Sequence, residues 1–248
     1  MPSYKSNYLT QVILRIDFQT TMPEYQRSIS KDLEEEILKY FTLKEAKEGF
    51  IEEVKFTPSS EKVERQRTEF KEWNYFANER QKRLCLTKDF LFIAYQKYLN
   101  YEDFTEPFYT LLKFLISNHK DLQIKRIGMR YINNVKIEED DPFEWRKYLN
   151  NNLLCVFDVP QNRTEIRRAL NILELNIDDI MLKYQYGMHN PDYPAPIKQK
   201  IFVLDLDAYK SGILSLEELS DIIPKLHDNI ESLFEKSITS SLREKMNE

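Results

Sequence analysis

KIFVLDLDAY, Lys200 to Tyr209, followed a few residues later by SLEELSDIIPKLHDNIESLFEKSITSSLREKM, Ser215 to Met246, is the stretch that decides the fold class. In its first part Leu204 and Leu206 alternate with Asp205 and Asp207, so leucines and aspartates take opposite faces of a strand. In its second part Ser215 and Glu218 stand at capping-box spacing and open a helix. Leu219, Ile222, Ile223, Leu226, Ile230, Leu233, Phe234, Ile238 and Leu242 then form a continuous apolar stripe. Pro224 falls inside the stripe and is expected to kink or divide the helix after its second turn.

Working back from there, IKRIGMRYINNVKI (124–137) reads as a strand, and EEDDPFEWRKYL (138–149) as a helix with Asp141 at its N-cap and Pro142 at its first position. EIRRALNILEL (165–175) and DIMLKYQYGM (179–188) supply two more strands before QKIFVLDLDAY. Earlier in the chain, TQVILRIDF (10–18) alternates apolar Val12, Leu14, Ile16 and Phe18 with polar partners, the period of a half-buried strand. A helix over Ser28 to Phe41 follows, then strands in IEEVKFTP (51–58), FKEWNYFANE (70–79) and KRLCLTKDFLFIAYQKY (82–98), the last two as a hairpin through Asn78 to Lys82. Thr105 to Asn118 reads as a helix with Pro107 in its first turn. The expectation is an α+β protein with long terminal helix, in which halves 1–122 and 123–248 each run strand, helix, three strands, helix, their antiparallel sheets separate or joined as one and backed by helices.

Composition narrows the chemistry. With a net charge of −5 there is no general attraction to nucleic acid or anionic membrane. Only four glycines occur, Gly49, Gly128, Gly187 and Gly212, and their wide separation excludes a phosphate-cradling loop or a nucleophile elbow. Three scattered histidines do not suggest a histidine-rich zinc site, and no cofactor is expected. Cys85 and Cys155 sit in apolar runs without metal-ligand spacing and read as buried, reduced thiols. Met1 is followed by PSYKSNY rather than a secretory leader, and no apolar run reaches the roughly 20 residues that span a bilayer, so a cytoplasmic protein is expected.

Several residue groups are candidate sites. Asp205 and Asp207, about 7 Å apart along one strand face, could share a magnesium ion; the same pair also suits a solvated face or a turn cap. His189 and Asp192 in the loop HNPDYPAPIK could form an acid–base couple, although Asn-Pro and Asp-Tyr-Pro are also ordinary turn chemistry. Arg163, Arg167, Arg168, Lys198 and Lys200, with Lys125, Arg126 and Arg130, could form a basic patch interleaved with Tyr131, Tyr184 and Tyr186; a sheet face with tyrosines packed across strands is the alternative. Trp73 and Trp145 suit a core or the wall of a small-molecule cavity. Leu226, Ile230, Leu233, Phe234, Ile238 and Leu242 are wide enough as a stripe to offer a partner surface.

Four segments taken together carry a resemblance: NYLTQVILRIDF (7–18), GMRYINNVKI (128–137), VLDLDAY, and LHDNIESLFEKSITSSLREKM (226–246). They resemble a sporadically distributed bacterial family of uncharacterised proteins of about this length. The most specific part is Leu226-His227, Phe234, Ile238-Thr239 and Leu242 to Met246. The resemblance implies no activity, cofactor or catalytic residue. Its patchy distribution suits an accessory role such as a component of a defence or toxin–antitoxin system.

The sequence therefore points to a non-enzymatic module whose sheet face or terminal helix engages another protein, a second copy of itself included. The alternative is a nucleic-acid-binding protein or magnesium-dependent nuclease using Arg167, Arg168, Asp205 and Asp207; a membrane partner is not expected.

Overall fold

A computed structural model describes residues 4–57 and 62–248. The first run of elements is β1 (Leu9–Phe18), α1 (Lys31–Leu38), β2 (Leu43–Thr57), β3 (Lys62–Ala77), β4 (Lys82–Leu86), β5 (Phe90–Tyr95) and α2 (Tyr101–Asn118). The second is β6 (Ile124–Lys136), β7 (Ala169–Ile177), β8 (Ile180–Met188), β9 (Ile201–Leu214), α3 (Leu216–Ser237) and α4 (Ser240–Met246). Among the described residues the nine strands join one antiparallel sheet in the order β2-β3-β4-β5-β1-β6-β9-β8-β7. The opening strands of the two runs lie at its centre and pair with each other, Val12 opposite Tyr131 and Ile16 opposite Ile127. The sheet is thereby continuous across residues 122 and 123, and the protein is of the α+β class with a C-terminal helix.

The alternation in TQVILRIDF is realised as one buried and one open face. Val12, Leu14, Ile16 and Phe18 point into the core with Ile127, Met129 and Tyr131 of β6 and Leu204 and Leu206 of β9. Above them lie α2, through Phe104, Phe108, Leu111 and Leu115, and α3, through Leu219, Ile223, Leu226 and Ile230. Each such side chain, taken out of water, contributes about 1.5–3 kcal/mol before chain entropy is set against it. The odd-numbered residues of β1, Gln11, Ile13, Arg15 and Asp17, face the other way and are half-buried.

Local chemistry shifted several boundaries. β2 reaches back to Leu43 and covers IEEVKFTP to Thr57, Pro58 lying outside the described residues. KRLCLTKDFLFIAYQKY is two strands rather than one: the Thr87 hydroxyl accepts hydrogen bonds from the N–H groups of Asp89 and Phe90, each 3.1 Å, and folds the run back. The hairpin at Asn78 is present, its turn carried by positive φ at Asn78, Glu79 and Arg80. Helix α2 begins four residues before Thr105, because Asn100 caps it by accepting from Asp103 N–H at 2.8 Å; Pro107 thus lies inside the helix.

EEDDPFEWRKYL is not a helix. Asp141 accepts from the N–H of Phe143 and Glu144 from that of Arg146, two-residue turns that compete with helical bonding. Phe143, Trp145, Tyr148 and Leu149 all reach the core, a spacing that one helical stripe does not supply. The capping box at Ser215 and Glu218 is formed, and α3 runs on through Pro224. The break comes instead at Ile238, which bridges to Leu149. Cys85 is buried, whereas Cys155 is exposed beside a short 3-10 segment and corrects the expectation of two buried thiols. Among the described residues no helix is long and apolar enough to cross a membrane.

Candidate functional site

Among the described residues the α-helices pack against the core-facing side of the sheet, the other side is left open, and its side chains follow from the register. One cross-strand row runs Phe76, Arg83, Ala94, Ile13, Arg130, Asp207, Lys183. The next runs Asn74, Cys85, Phe92, Arg15, Gly128, Tyr209. Gly128, in that second row between Arg15 and Tyr209, has no side chain, and a hollow of about 550 Å³ opens beside it near the centre of the sheet. Arg15, Arg80, Arg83, Arg126 and Arg130 line it with Phe76, Phe92 and Asp207.

The arginines are held in two ways. Four guanidinium groups sit over rings: Arg15 over Phe90 at 4.1 Å, Arg126 over Tyr209 at 4.5 Å, Arg80 over Phe76 at 4.7 Å and Arg83 over Phe92 at 5.1 Å. Carboxylates or an amide fix them from the side. Arg15 donates to Asp17 at 2.6 and 2.9 Å, Arg83 donates to the Asn74 side-chain oxygen at 2.6 and 3.0 Å, and Arg80 pairs with Glu45. Arg130 forms a two-pronged pair with Asp205, Nε to Oδ1 at 2.8 Å and Nη2 to Oδ2 at 2.6 Å. Arg126 lies between Asp17 at 3.8 Å and Asp207 at 3.7 Å. Burial raises the Asp207 carboxyl above its usual range, against the pull of Arg126 and Arg130. Cations and carboxylates thus alternate across the face, and little net positive field is left over.

Asp205 and Asp207 do share this face, as their spacing indicates, but their nearest charged partners are guanidinium groups. Among the described residues no cluster of three or more His, Cys, Asp or Glu side chains could hold a metal ion. His189 is exposed, and no hydrogen bond or ion pair is formed between it and Asp192; Asn190 instead ties the loop, donating to the carbonyls of Arg167 and Ala195 at 2.9 and 2.7 Å and accepting from Asp192 N–H.

The basic patch is not assembled. Lys200 is buried, paired with Glu139 at 2.7 Å; Arg163 pairs with Asp158, Arg167 donates to the Thr164 carbonyl, and Arg168 stacks on Tyr193. Lys198 is exposed on the loop, while Tyr131 and Tyr184 face the core and not the arginines. Trp73 and Trp145 are core residues.

On the terminal helices, Leu226, Ile230, Ile238 and Leu242 are buried, and Leu233 and Phe234 are half-buried against the same core. The exposed positions of α3 include Asp221, Lys225, Asp228, Ser232 and Lys236. The stripe is therefore spent on internal packing and does not offer a partner surface.

Arg15, Arg83, Phe92 and Gly128 were not singled out from the sequence. The available signal was the polar half of the alternation in TQVILRIDF and IKRIGMRY, where arginines occupy positions that must face away from the core. Neither the protein-family models nor the curated proteins contain a match to this chain.

Proposed function

We propose that the protein is a non-enzymatic interaction module that receives a protein partner on the open face of its sheet, with the hollow at Gly128 as the anchor pocket. The observation that carries this reading is the mosaic of arginines, each stacked on a ring or tied to a carboxylate or amide, around an unfilled centre. Arginine and aromatic side chains are the residues that concentrate binding energy in protein interfaces. A nucleic-acid surface needs unpaired cations to displace counterions, and here the guanidinium groups already face carboxylates. The five strands β4, β5, β1, β6 and β9 span about 20 Å, so the hollow is the centre of an interface and not its whole extent. The two halves do not share the expected element order, since four strands follow α1 and no α-helix separates β6 from β7; the defence or toxin–antitoxin role implied by the family resemblance belongs to this proposal and rests on that resemblance alone.

Placing a photo-crosslinking amino acid at Ile13, inside the hollow, tests the reading in the native host. A covalent adduct that survives nuclease digestion, and that disappears when Gly128→Leu fills the hollow, is the expected result. An adduct removed by nuclease, or none at all, would overturn it.

A further inference from the structure

The two edges of the sheet are built differently. β2, at one end, carries seven charged residues in fifteen, a common protection of an edge strand against pairing with another chain. β7, at the other end, reads ALNILELNI and carries one, Glu174. It joins β8 through the two-residue turn Asp178-Asp179, both at positive φ, so Ile177 and Ile180 form the hydrogen-bonded pair that closes the hairpin. Alternation along the ladder then turns the N–H and C=O groups of Leu170, Ile172, Glu174 and Asn176 away from β8. Among the described residues no loop or turn backbone bonds to them. The side chains do not shield this edge either: Ile172 is 59% exposed and Leu173 44%, on opposite faces of the strand.

The order of side chains along the edge selects the partner. Arg168, the residue before β7, is exposed with its guanidinium over Tyr193, and six residues further on stands Glu174. Alternation puts Leu170 and Ile172 between them on one face. A strand with a cation at one end, a carboxylate at the other and two aliphatic side chains between is complementary to itself when antiparallel. With a two-fold axis at Asn171, Arg168 meets Glu174 of the other copy and Leu170 meets Ile172, and each pairing occurs twice. The outward backbone groups fall opposite one another in this register. On the helix side, small Ala169 stands opposite Leu173, and the two Asn171 amides, which both donate and accept, face each other. Moving the axis to Ile172 or Leu173 sets Glu174 against an aliphatic side chain, and moving it to Glu174 sets two carboxylates together.

We infer that β7 pairs with β7 of a second copy of this chain, antiparallel about Asn171, joining the two sheets into one. The edge contributes no described residue to the walls of the Gly128 hollow, so the dimer and the partner reading of that hollow stand or fall separately.

Sedimentation equilibrium of the purified full chain over a concentration series tests it, and a reversible monomer–dimer equilibrium is expected. Ile172→Pro removes an outward N–H that β8 does not use, and should weaken the dimer by about tenfold or more while the far-ultraviolet circular dichroism is kept. Arg168→Glu and Glu174→Arg each put like charges together at both symmetric positions and should each weaken it about tenfold. Mixing these two variants in equal amounts brings opposite charges together again and should restore association. Within one chain, residues 168 and 174 are about 20 Å apart along the strand, beyond ion-pair reach, so only pairing between copies gives that rescue. Three results would overturn the inference: a chain monomeric at every concentration, which leaves the edge to a strand of another protein; a dimer as tight in Ile172→Pro as in the wild type; or a mixture no more associated than its two components.

Discussion

Removing the Asp205 carboxylate separates a structural ion pair from a metal site by the sign of the result. Asp205 holds Arg130 through two short hydrogen bonds, and its side chain is only 9% exposed against 43% for Arg130. Truncating one partner of a fully buried pair costs about 3–5 kcal/mol because the other charge is stranded. Exposed pairs are worth about 0–1 kcal/mol. Arg130, nearly half exposed, regains water when its partner is lost, so Asp205→Ala should fall between these limits, near 2 kcal/mol. In a chain of this length that lowers Tm by about 4–8 °C. Urea unfolding should show a lower midpoint with an unchanged slope, and a double-mutant cycle with Arg130→Met should return about 1–2 kcal/mol of coupling.

Asp207→Asn should behave differently. A carboxyl whose pKa is raised in the folded chain destabilises that chain when ionised, so at neutral pH the amide should be neutral or stabilising. Two carboxylates kept together for a cation would repel one another without it, and Asp205→Ala would then raise stability. A rise or no change in Asp205→Ala, or a magnesium-dependent increase in Tm that the variant lacks, would refute the ion-pair account.

Further outcomes follow from single positions. Gly187 has φ +139°, and a Cβ there would lie 2.1 Å from the Ala169 carbonyl oxygen, so Gly187→Ala should cost about 3 kcal/mol or more in thermal unfolding. Gly212 has the same φ with open space around it, and Gly212→Ala should cost about 1–3 kcal/mol, strain alone. In thiol titration with an aromatic disulfide, exposed Cys155 should react in the native protein and Cys85 only after unfolding, because burial pushes the Cys85 thiol up to about 12. Burial on α3 raises the Glu231 carboxyl to about 7, so the folded chain keeps a proton which the unfolded chain releases between about pH 4.5 and 7. Wild-type Tm should therefore fall relative to Glu231→Gln as pH rises through that window and then level off; a constant difference from pH 4 to 8 would contradict the shift.

Much of the fold was legible because period-two and helical stripes record burial directly, as in TQVILRIDF and in the terminal helix. What failed did so for local reasons. Thr87 folds a long apolar run into two strands by a side-chain bond that periodicity does not register, and Asp141, expected as an N-cap, spends its carboxylate on a two-residue turn, as Glu144 does after it. The α3 stripe is wide because the helix meets β6, β8 and β9, and width alone does not say whether the second neighbour belongs to the same chain. The site was less legible than the fold. Arg130 and Asp205 are 75 positions apart, and only the pairing of β6 with β9 turns a suggestive pair of aspartates into ion pairs.

Strand β6 explains why the hollow and the cleft on the opposite face both lie near the middle of the molecule. Consecutive residues of a strand point to opposite faces, so Gly128 and Arg130 open onto the hollow while Tyr131 and Asn133 line the cleft beneath α3. Both strands that flank β6, β1 and β9, are themselves paired on both sides, which fixes the backbone that carries these side chains. The edge strands β2 and β7 lack that second neighbour and, among the described residues, contribute none to either set of walls. The hollow and the cleft also share no side chain. Filling the hollow with Gly128→Leu pushes on the Arg126 guanidinium and on Tyr209, both on the open face, and should leave the walls of the cleft in place. Loss of crosslinking accompanied by a large fall in Tm would mean that the sheet itself, and not the hollow, had been disturbed.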